Sequence, residues 1–239
     1  MTLINNIFKK YLLKIWAEGA TLNNTRLKEL IEPSEKAKIL DIGCESGKLI
    51  IERVKNIKNP EIFGVDIRQE AIISSRKLGI KAVKSDVEKK LPYKSDFFDL
   101  ISANQIIEHI VNVENFIKEM HRVLKPKGYL LLSTENLSSW HNIFALTLGW
   151  QAFSQTYFKI KNIGNPLRLL VWSDIDSCYT HIRIFTPKGI RELLEVYSFK
   201  IENFYGAGYY PFPTYISKQL SKIDPVHAAF IGVKARKIN

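Results

Sequence analysis

A chain of 239 residues with a formal charge of +11, 46% hydrophobic and 25% charged, has the composition of one globular domain and not of a disordered or fibrous chain. Its two cysteines, Cys44 and Cys178, form at most one disulfide and cannot build a tetrahedral cysteine zinc site, which excludes a stapled secreted scaffold and a zinc ribbon and points to a reducing cytoplasm. No stretch is apolar for the length a bilayer span requires, and Lys9, Lys10 and Lys14 interrupt the first apolar segment, against an export signal.

The positive excess is larger after Glu135 than before it, although that part is shorter. Nucleic acid, anionic lipid and acidic metabolites are all partners such an excess can attract. With no run of five like charges, a solvated lysine-rich surface is the simpler expectation.

The chain opens with Leu3, Ile4, Ile7, Phe8, Tyr11, Leu12, Ile15 and Trp16 at helical spacing, with Asn5, Asn6 and the lysines opposite. This predicts an amphipathic helix whose stripe packs on its own domain, the alternative being an anionic membrane surface. From Lys38 the pattern alternates: strand Lys38 to Ile42, helix Gly47 to Ile57, strand Glu61 to Asp66, helix Gln69 to Leu78, strand Ile80 to Lys84. A fourth strand spans Phe97 to Ala103, then a helix Val113 to Leu124, a turn at Lys125 to Gly128 and a fifth strand Tyr129 to Thr134. Right-handed crossovers make this a doubly wound sheet.

After Glu135 the rhythm breaks. Trp140 to Phe153 is aromatic and helix-like, and Gln155 to Tyr179 is irregular. Thr186-Pro187 then caps a helix to Tyr197. Two last strands, Phe199 to Tyr205 and Ala228 to Ala235, flank a Gly/Pro/Tyr-rich loop and a short helix near Thr214 to Lys222. The expected fold is α/β: a doubly wound, mainly parallel seven-stranded sheet with helices on both faces and an inserted helical, aromatic cap. It forms a single domain of four parts: an N-terminal helical segment 1–35, a ligand-binding core 36–135, the cap 136–185, and a C-terminal helix and last strands 186–239.

Strand one runs into Asp41-Ile42-Gly43-Cys44-Glu45-Ser46-Gly47, a strand-to-helix turn with glycines where backbone must approach a ligand. Asp66 closes the next strand, where a carboxylate can accept hydrogen bonds from ribose hydroxyls. Together these indicate an adenosine-type ligand. Asp41 and Glu45 would repel a pyrophosphate at the helix start but favour a cation, so S-adenosylmethionine, with its sulfonium and ammonium groups, fits better than a dinucleotide.

The segment 36–135 resembles the class I S-adenosylmethionine-dependent methyltransferases. Asp41 through Gly47 is similar to that family's first motif, Phe63-Gly64-Val65-Asp66-Ile67 to its ribose-binding strand end, and Ser85-Asp86-Val87 to its adenine-binding segment. Leu91-Pro92-Tyr93 ahead of Phe97 to Ile101, and Val123 to Tyr129, resemble its fourth strand and the helix-turn-strand that follows. The resemblance implies donor contacts from Asp41, Gly43, Cys44, Gly47, Asp66, Ile67, Asp86, Val87 and Asn104, with Asp86 on the adenine amino group and Ile67 and Val87 against the ring. Glu45 stands where the family often has glycine.

Related methyltransferases can build a magnesium site from a glutamate three residues before a Glu-His pair; here that position is Gln105, ahead of Glu108-His109. An amide replaces a carboxylate poorly around a hard ion, so no metal is expected. His109, and His181 in a segment that borders the acceptor site in relatives, are the candidate catalytic residues. Trp140, His141, Asn142, Trp150, Phe153, Tyr157 and Phe158 suit a cover over a small or lipid-like acceptor. Two rival functions stay open: methylation of RNA, for which no appended binding motif is present, and a cofactor-binding scaffold without turnover.

Overall fold

The computed structural model describes residues 2–155, 163–167 and 180–238, and within the first helix the side chains of Ile7 and of residue 10 onward. Most of the irregular stretch expected from Gln155 to Tyr179, with Tyr157 and Phe158, lies outside the described residues, as do the side chains of Leu3, Ile4 and Phe8.

Seven strands form one sheet: β1 Lys38–Ile42, β2 Glu61–Asp66, β3 Lys81–Lys84, β4 Phe98–Asn104, β5 Leu124–Glu135, β6 Phe199–Ala207 and β7 Phe230–Lys237, in the order β3-β2-β1-β4-β5-β7-β6. The pairs from β3 to β5 are parallel, and β7 runs antiparallel between β5 and β6. The helices are α1 Thr2–Glu29, α2 Lys48–Arg53, α3 Gln69–Lys77, α4 Val113–Val123, α5 Trp140–Thr147, α6 Pro187–Val196 and α7 Thr214–Ile223.

Alternation along the strands builds two cores, one per face. Leu40, Ile101, Leu130 and Ile231 point into the layer that holds Phe116 and Leu194. Their neighbours Ile39, Leu100, Leu131 and Phe230 point into the layer that holds Leu27 and Ile50. Both sets are buried, which is why these strands read as near-continuous apolar runs. Strand order reverses between β1 and β4, so a crevice opens at their carboxyl ends.

Three element boundaries differ from expectation. The Lys125 to Gly128 turn is absorbed into β5 as a bulge: Phe98 pairs with Leu124 but Leu100 with Tyr129, and Lys127 takes φ +63°. Helix α2 stops at Arg53, and Val54 and Ile57 are buried from a turn instead. The helix expected to reach Phe153 ends at Thr147, because Gly149 at φ +71° closes it with Gly149 N–H donating to Leu146 O and Trp150 N–H to Ala145 O.

The first helix is longer than its amphipathic stripe, and its second half carries most of the packing. Ile15 and Leu27 are buried, whereas Ile7, Tyr11 and Trp16 are 63%, 40% and 38% exposed. Tyr205 Oη donates to Asn23 Oδ1 at 2.7 Å and ties α1 to β6.

Candidate active site

The loop between β1 and α2 is held by backbone conformation and by its neighbours. Gly43 and Gly47 take φ +70° and +76°, and a Cβ on them would stand 2.1 Å from Ile106 Cδ1 and 2.3 Å from Ile80 Cδ1. At both places the left-handed backbone strains any side chain, and a Cβ would force the neighbouring isoleucine to move. Gly43 and Cys44 N–H both donate to Val65 O, at 2.8 and 3.1 Å, and Glu45 N–H donates to Asp66 Oδ2 at 3.1 Å. The loop is therefore sewn to the end of β2.

Glu45 occupies the left-handed region at φ +43°, at a cost of about 1 kcal/mol against glycine. Its side chain leaves the loop for solvent and meets Arg68 Nη2 at 3.5 Å. Asp66 is nearly buried, and its Oδ1 accepts from Arg68 N–H at 2.9 Å and from Arg68 Nε at 3.3 Å. Below the loop, Asp41 faces Arg53 Nη1 at 3.8 Å; burial raises its carboxyl, and Arg53 and Ser102 pull it back. Cys44 is a wedge: Gly64 leaves room for it, Ser75 Oγ lies 3.5 Å from its sulfur, and burial pushes the thiol up to about 11.

After β3, Asp86 Oδ1 accepts from Glu88 N–H at 3.0 Å, while Ile67 is 61% exposed and Val87 partly buried. At the end of β4, Asn104 Oδ1 accepts from Asn23 Nδ2 at 2.9 Å and Ser133 Oγ at 2.7 Å, which couples α1, β4 and β5. Gln105 follows at φ +56°. Oriented to satisfy its whole amide, it accepts from Thr134 N–H at 3.2 Å and donates to Glu108 Oε1 at 3.1 Å. Glu108 also accepts from Thr134 Oγ1 at 2.9 Å, and burial pushes its carboxyl up to about 8.

His109 and His181 stand edge to face with ring centroids 4.9 Å apart. His109 Nδ1 donates to Thr180 O at 2.9 Å and His181 Nδ1 to Ser154 O at 2.6 Å, which leaves Nε2 of each ring as the acceptor nitrogen. Burial lowers the His109 pKa, with Thr180 opposing. Glu108, His109 and His181 offer three ligand atoms within 4.8 Å of one another, a cluster that spacing alone did not show. One carboxylate with two imidazoles is a poor donor set for the hard, oxygen-seeking magnesium ion.

All eleven residues singled out from sequence, Asp41 through His181, line one cavity of about 1620 Å³. That exceeds the roughly 300–1,000 Å³ of a pocket for one small ligand. Of the cap residues, Trp140, His141 and Phe153 reach the cavity, joined by Phe144. Two do not. Trp150 sits edge-on behind Phe144, and Asn142 is fully buried with Nδ2 donating to Asn136 O and Ser154 Oγ. The first helix, expected to join the cover, supplies Leu12 and Ile15 to the wall; sequence reasoning missed the Glu135 carboxylate at the end of β5 and Tyr210. The Tyr209-Tyr210-Pro211-Phe212-Pro213 run was the available signal for the last.

The methyltransferase-domain family matches residues 15–203 of the chain. A malonyl-[acyl-carrier protein] O-methyltransferase of Calditerrivibrio nitroreducens is 27% identical, over 81% of this chain and 86% of that protein. A mitochondrial ubiquinone biosynthesis O-methyltransferase of Rattus norvegicus is 25% identical over 77% of this chain, which spans about half (50%) of that relative's length. Among solved structures, S-adenosylmethionine-dependent methyltransferases from Mesorhizobium loti and Methanosarcina mazei share the fold. The first has TM-score 0.61 at 18% identity, covering 89% of this chain and 96% of that one; the second has 0.60 at 21%, covering 88% and 95%.

The chain belongs to this methyltransferase-domain family. It is a class I enzyme, and its methyl donor is S-adenosylmethionine. The cavity suits that donor: glycines leave backbone bare where it must approach, and Asp41, Asp66 and Asp86 give a wall that complements a cation.

Proposed function

We propose that this enzyme methylates an oxygen of an acceptor with an apolar, lipid-like body. The observation that carries the reading is the far wall of the cavity. Beyond the donor loop it is built from Leu12, Ile15, Ile110, Phe144, Phe153 and Phe212. The names of the relatives support oxygen, since both are O-methyltransferases, one of malonyl-[acyl-carrier protein] and one of ubiquinone biosynthesis, and the second supports a lipid-like acceptor. In this reading residues 36–135 seat the donor, and 136–185 with α1 cover the acceptor within a single domain.

When bound, the donor supplies a sulfonium methyl whose leaving group is a neutral thioether. The protein then has only to align and dry the acceptor, since displacement at such a centre gains most from positioning. A hydroxyl held against the His109 and His181 pair would give its proton to Nε2 of His109 as its bond to the methyl carbon forms. The carbonyls of Thr180 and Ser154 fix both rings in the tautomer that can take it.

Purified protein, labelled donor and a cell lipid extract test the reading, with the labelled product identified by mass spectrometry. A methyl ether or ester on an apolar molecule is expected. Label confined to RNA, or donor binding with no labelled product, would overturn it.

Two further results are expected. Phe153→Ala and Trp140→Ala should each raise acceptor KM several-fold and leave donor affinity within about twofold, since both lie on the acceptor side. Calorimetry for donor and initial rates for acceptor separate the two effects; a matching loss of donor affinity would place these residues in the donor site. Transfer should also persist in chelator, because Gln105 leaves Glu108 as the only carboxylate of its cluster. Activity lost in EDTA and restored by a divalent ion would give the cluster to a metal.

A further inference from the structure

The apolar wall of the cavity continues past its mouth onto the surface. Trp16, Trp140, Phe144 and Phe212 line the cavity yet are 38%, 51%, 52% and 44% exposed, so they form its rim. Helix α5 carries no charged residue, and past the rim it shows Leu146 and Leu148, each about half exposed. At its start Trp140 Nε1 donates to Asp224 Oδ2 at 3.1 Å, just beyond the end of α7.

Helix α7 has no acidic residue and turns Tyr215, Lys218, Lys222 and Ile223 outward. Helix α1 adjoins it: Tyr11 Oη donates to Pro211 O at 2.8 Å and Thr214 Oγ1 donates to Glu18. There Ile7, Tyr11 and Trp16 are exposed beside Lys10 and Lys14. Three helices thus join in one face, apolar and aromatic at the cavity mouth, with lysines around it.

We propose that this face docks on the surface of an anionic lipid bilayer, with the cavity mouth turned toward the lipid. An acceptor that partitions into lipid then enters without crossing water, so this inference rests on the apolar-acceptor reading above. Charge selects the occupant. Lys10, Lys14, Lys218 and Lys222 are exposed, while the acidic groups nearby are engaged: Glu18 by Lys14 and Thr214, the Asp224 carboxylate by Trp140 and His227. An apolar centre with a cationic border is what an anionic interface takes up. Tryptophan and tyrosine at the rim suit the headgroup region.

A second copy would set lysines against lysines, and leucines offer nothing to a phosphate backbone. Among the described residues no helix is long and apolar enough to cross a membrane, so the contact is with the surface.

Flotation of the full chain with vesicles tests this, using phosphatidylcholine alone or with about one third phosphatidylglycerol. The protein should float with the anionic vesicles at least tenfold better than with neutral ones, and strong salt should lower that binding. Leu146→Glu with Leu148→Glu should lower flotation at least tenfold at unchanged melting temperature and donor affinity, since both side chains lie outside the cavity. Lys218→Glu with Lys222→Glu should do the same.

No flotation, or flotation indifferent to both pairs, overturns the proposal. So does a dimer in sedimentation velocity that the leucine pair splits, which would assign the face to a second copy. Transfer to extract lipid in detergent micelles is read in parallel. Transfer without flotation removes the docking alone; flotation without a lipid product removes the acceptor reading alone.

Discussion

Asp66→Ala should weaken donor binding at least tenfold by calorimetry. The carboxylate stands at the end of β2, nearly buried, with the donor loop sewn to its Oδ2. A ribose diol seated there gives it two hydrogen bonds, and losing bonds to a charged acceptor costs about 1.5–3 kcal/mol, where 1.4 kcal/mol is tenfold. Arg68 already touches the same oxygens, but unequally. Its backbone N–H is at 2.9 Å, while its Nε and Nη2 are at 3.3 and 3.4 Å. The long guanidinium contacts are the ones a diol displaces, and the backbone bond stays.

Alanine also frees Glu45 N–H, so loss of affinity could come from a loosened loop. Asp66→Asn separates the two causes. The amide keeps an acceptor for the loop but loses the charge and one acceptor position. If Asp66 binds ribose, the asparagine variant is weakened about as much as alanine, although one backbone N–H keeps its acceptor and the melting temperature falls less than in alanine. Donor affinity unchanged in both variants would remove Asp66 from the donor site.

What sequence made legible about this site is what lies close together along the chain. Gly43, Gly47, Asp66 and Asp86 are each read from the end of one strand and the turn after it, and a parallel sheet brings strand ends together without further instruction. The two histidines were legible as candidates, but their pairing was not. They meet because the turn after β4, which carries Glu108 and His109, and the Thr180 to Ile182 segment converge, with Ile182 N–H donating to Glu108 O at 2.9 Å.

The rest depended on register and on distant pairings. Trp140 and Trp150 look alike in the sequence, yet Gly149 ends α5 so that one reaches the cavity and the other backs onto Phe144. Asn23 reads as an ordinary polar helix residue. Only the fold brings it, nearly fully buried, between Asn104 and Tyr205. The first helix was expected to bury its apolar stripe, but the stripe splits: Leu12 and Ile15 go to the cavity, Ile7 and Tyr11 to the exposed face. Periodicity shows that a stripe exists and is silent on what each turn of it meets.

Arg53→Met should cost about 3–5 kcal/mol of stability, the penalty for stripping a buried charge of its partner. Arg53 is a lysine-like surface residue by composition, yet it is 2% exposed. Its Nε donates to Asn24 Oδ1 at 2.5 Å and its Nη1 to Ser102 Oγ at 2.9 Å, with Asp41 at 3.8 Å. One guanidinium thus joins α1, α2, β1 and β4 directly beneath the donor loop. With methionine there, Asp41 has only Ser102 to offset its burial, and Asn24 and Ser102 each lose the guanidinium. For a chain of this length about 2–4 °C accompany each kcal/mol, so the melting temperature should fall by about 10 °C.

The double variant Asp41→Asn with Arg53→Met tests whether charge is the cause. Removing both charges leaves no uncompensated ion, so it should recover most of the loss even though fewer hydrogen bonds remain. If Arg53→Met melts with the wild type, the pair is not buried in solution. If the double variant is no better than the single, the hydrogen bonds to Asn24 and Ser102 outweigh the ion pair, and α1 is held to the sheet chiefly by them.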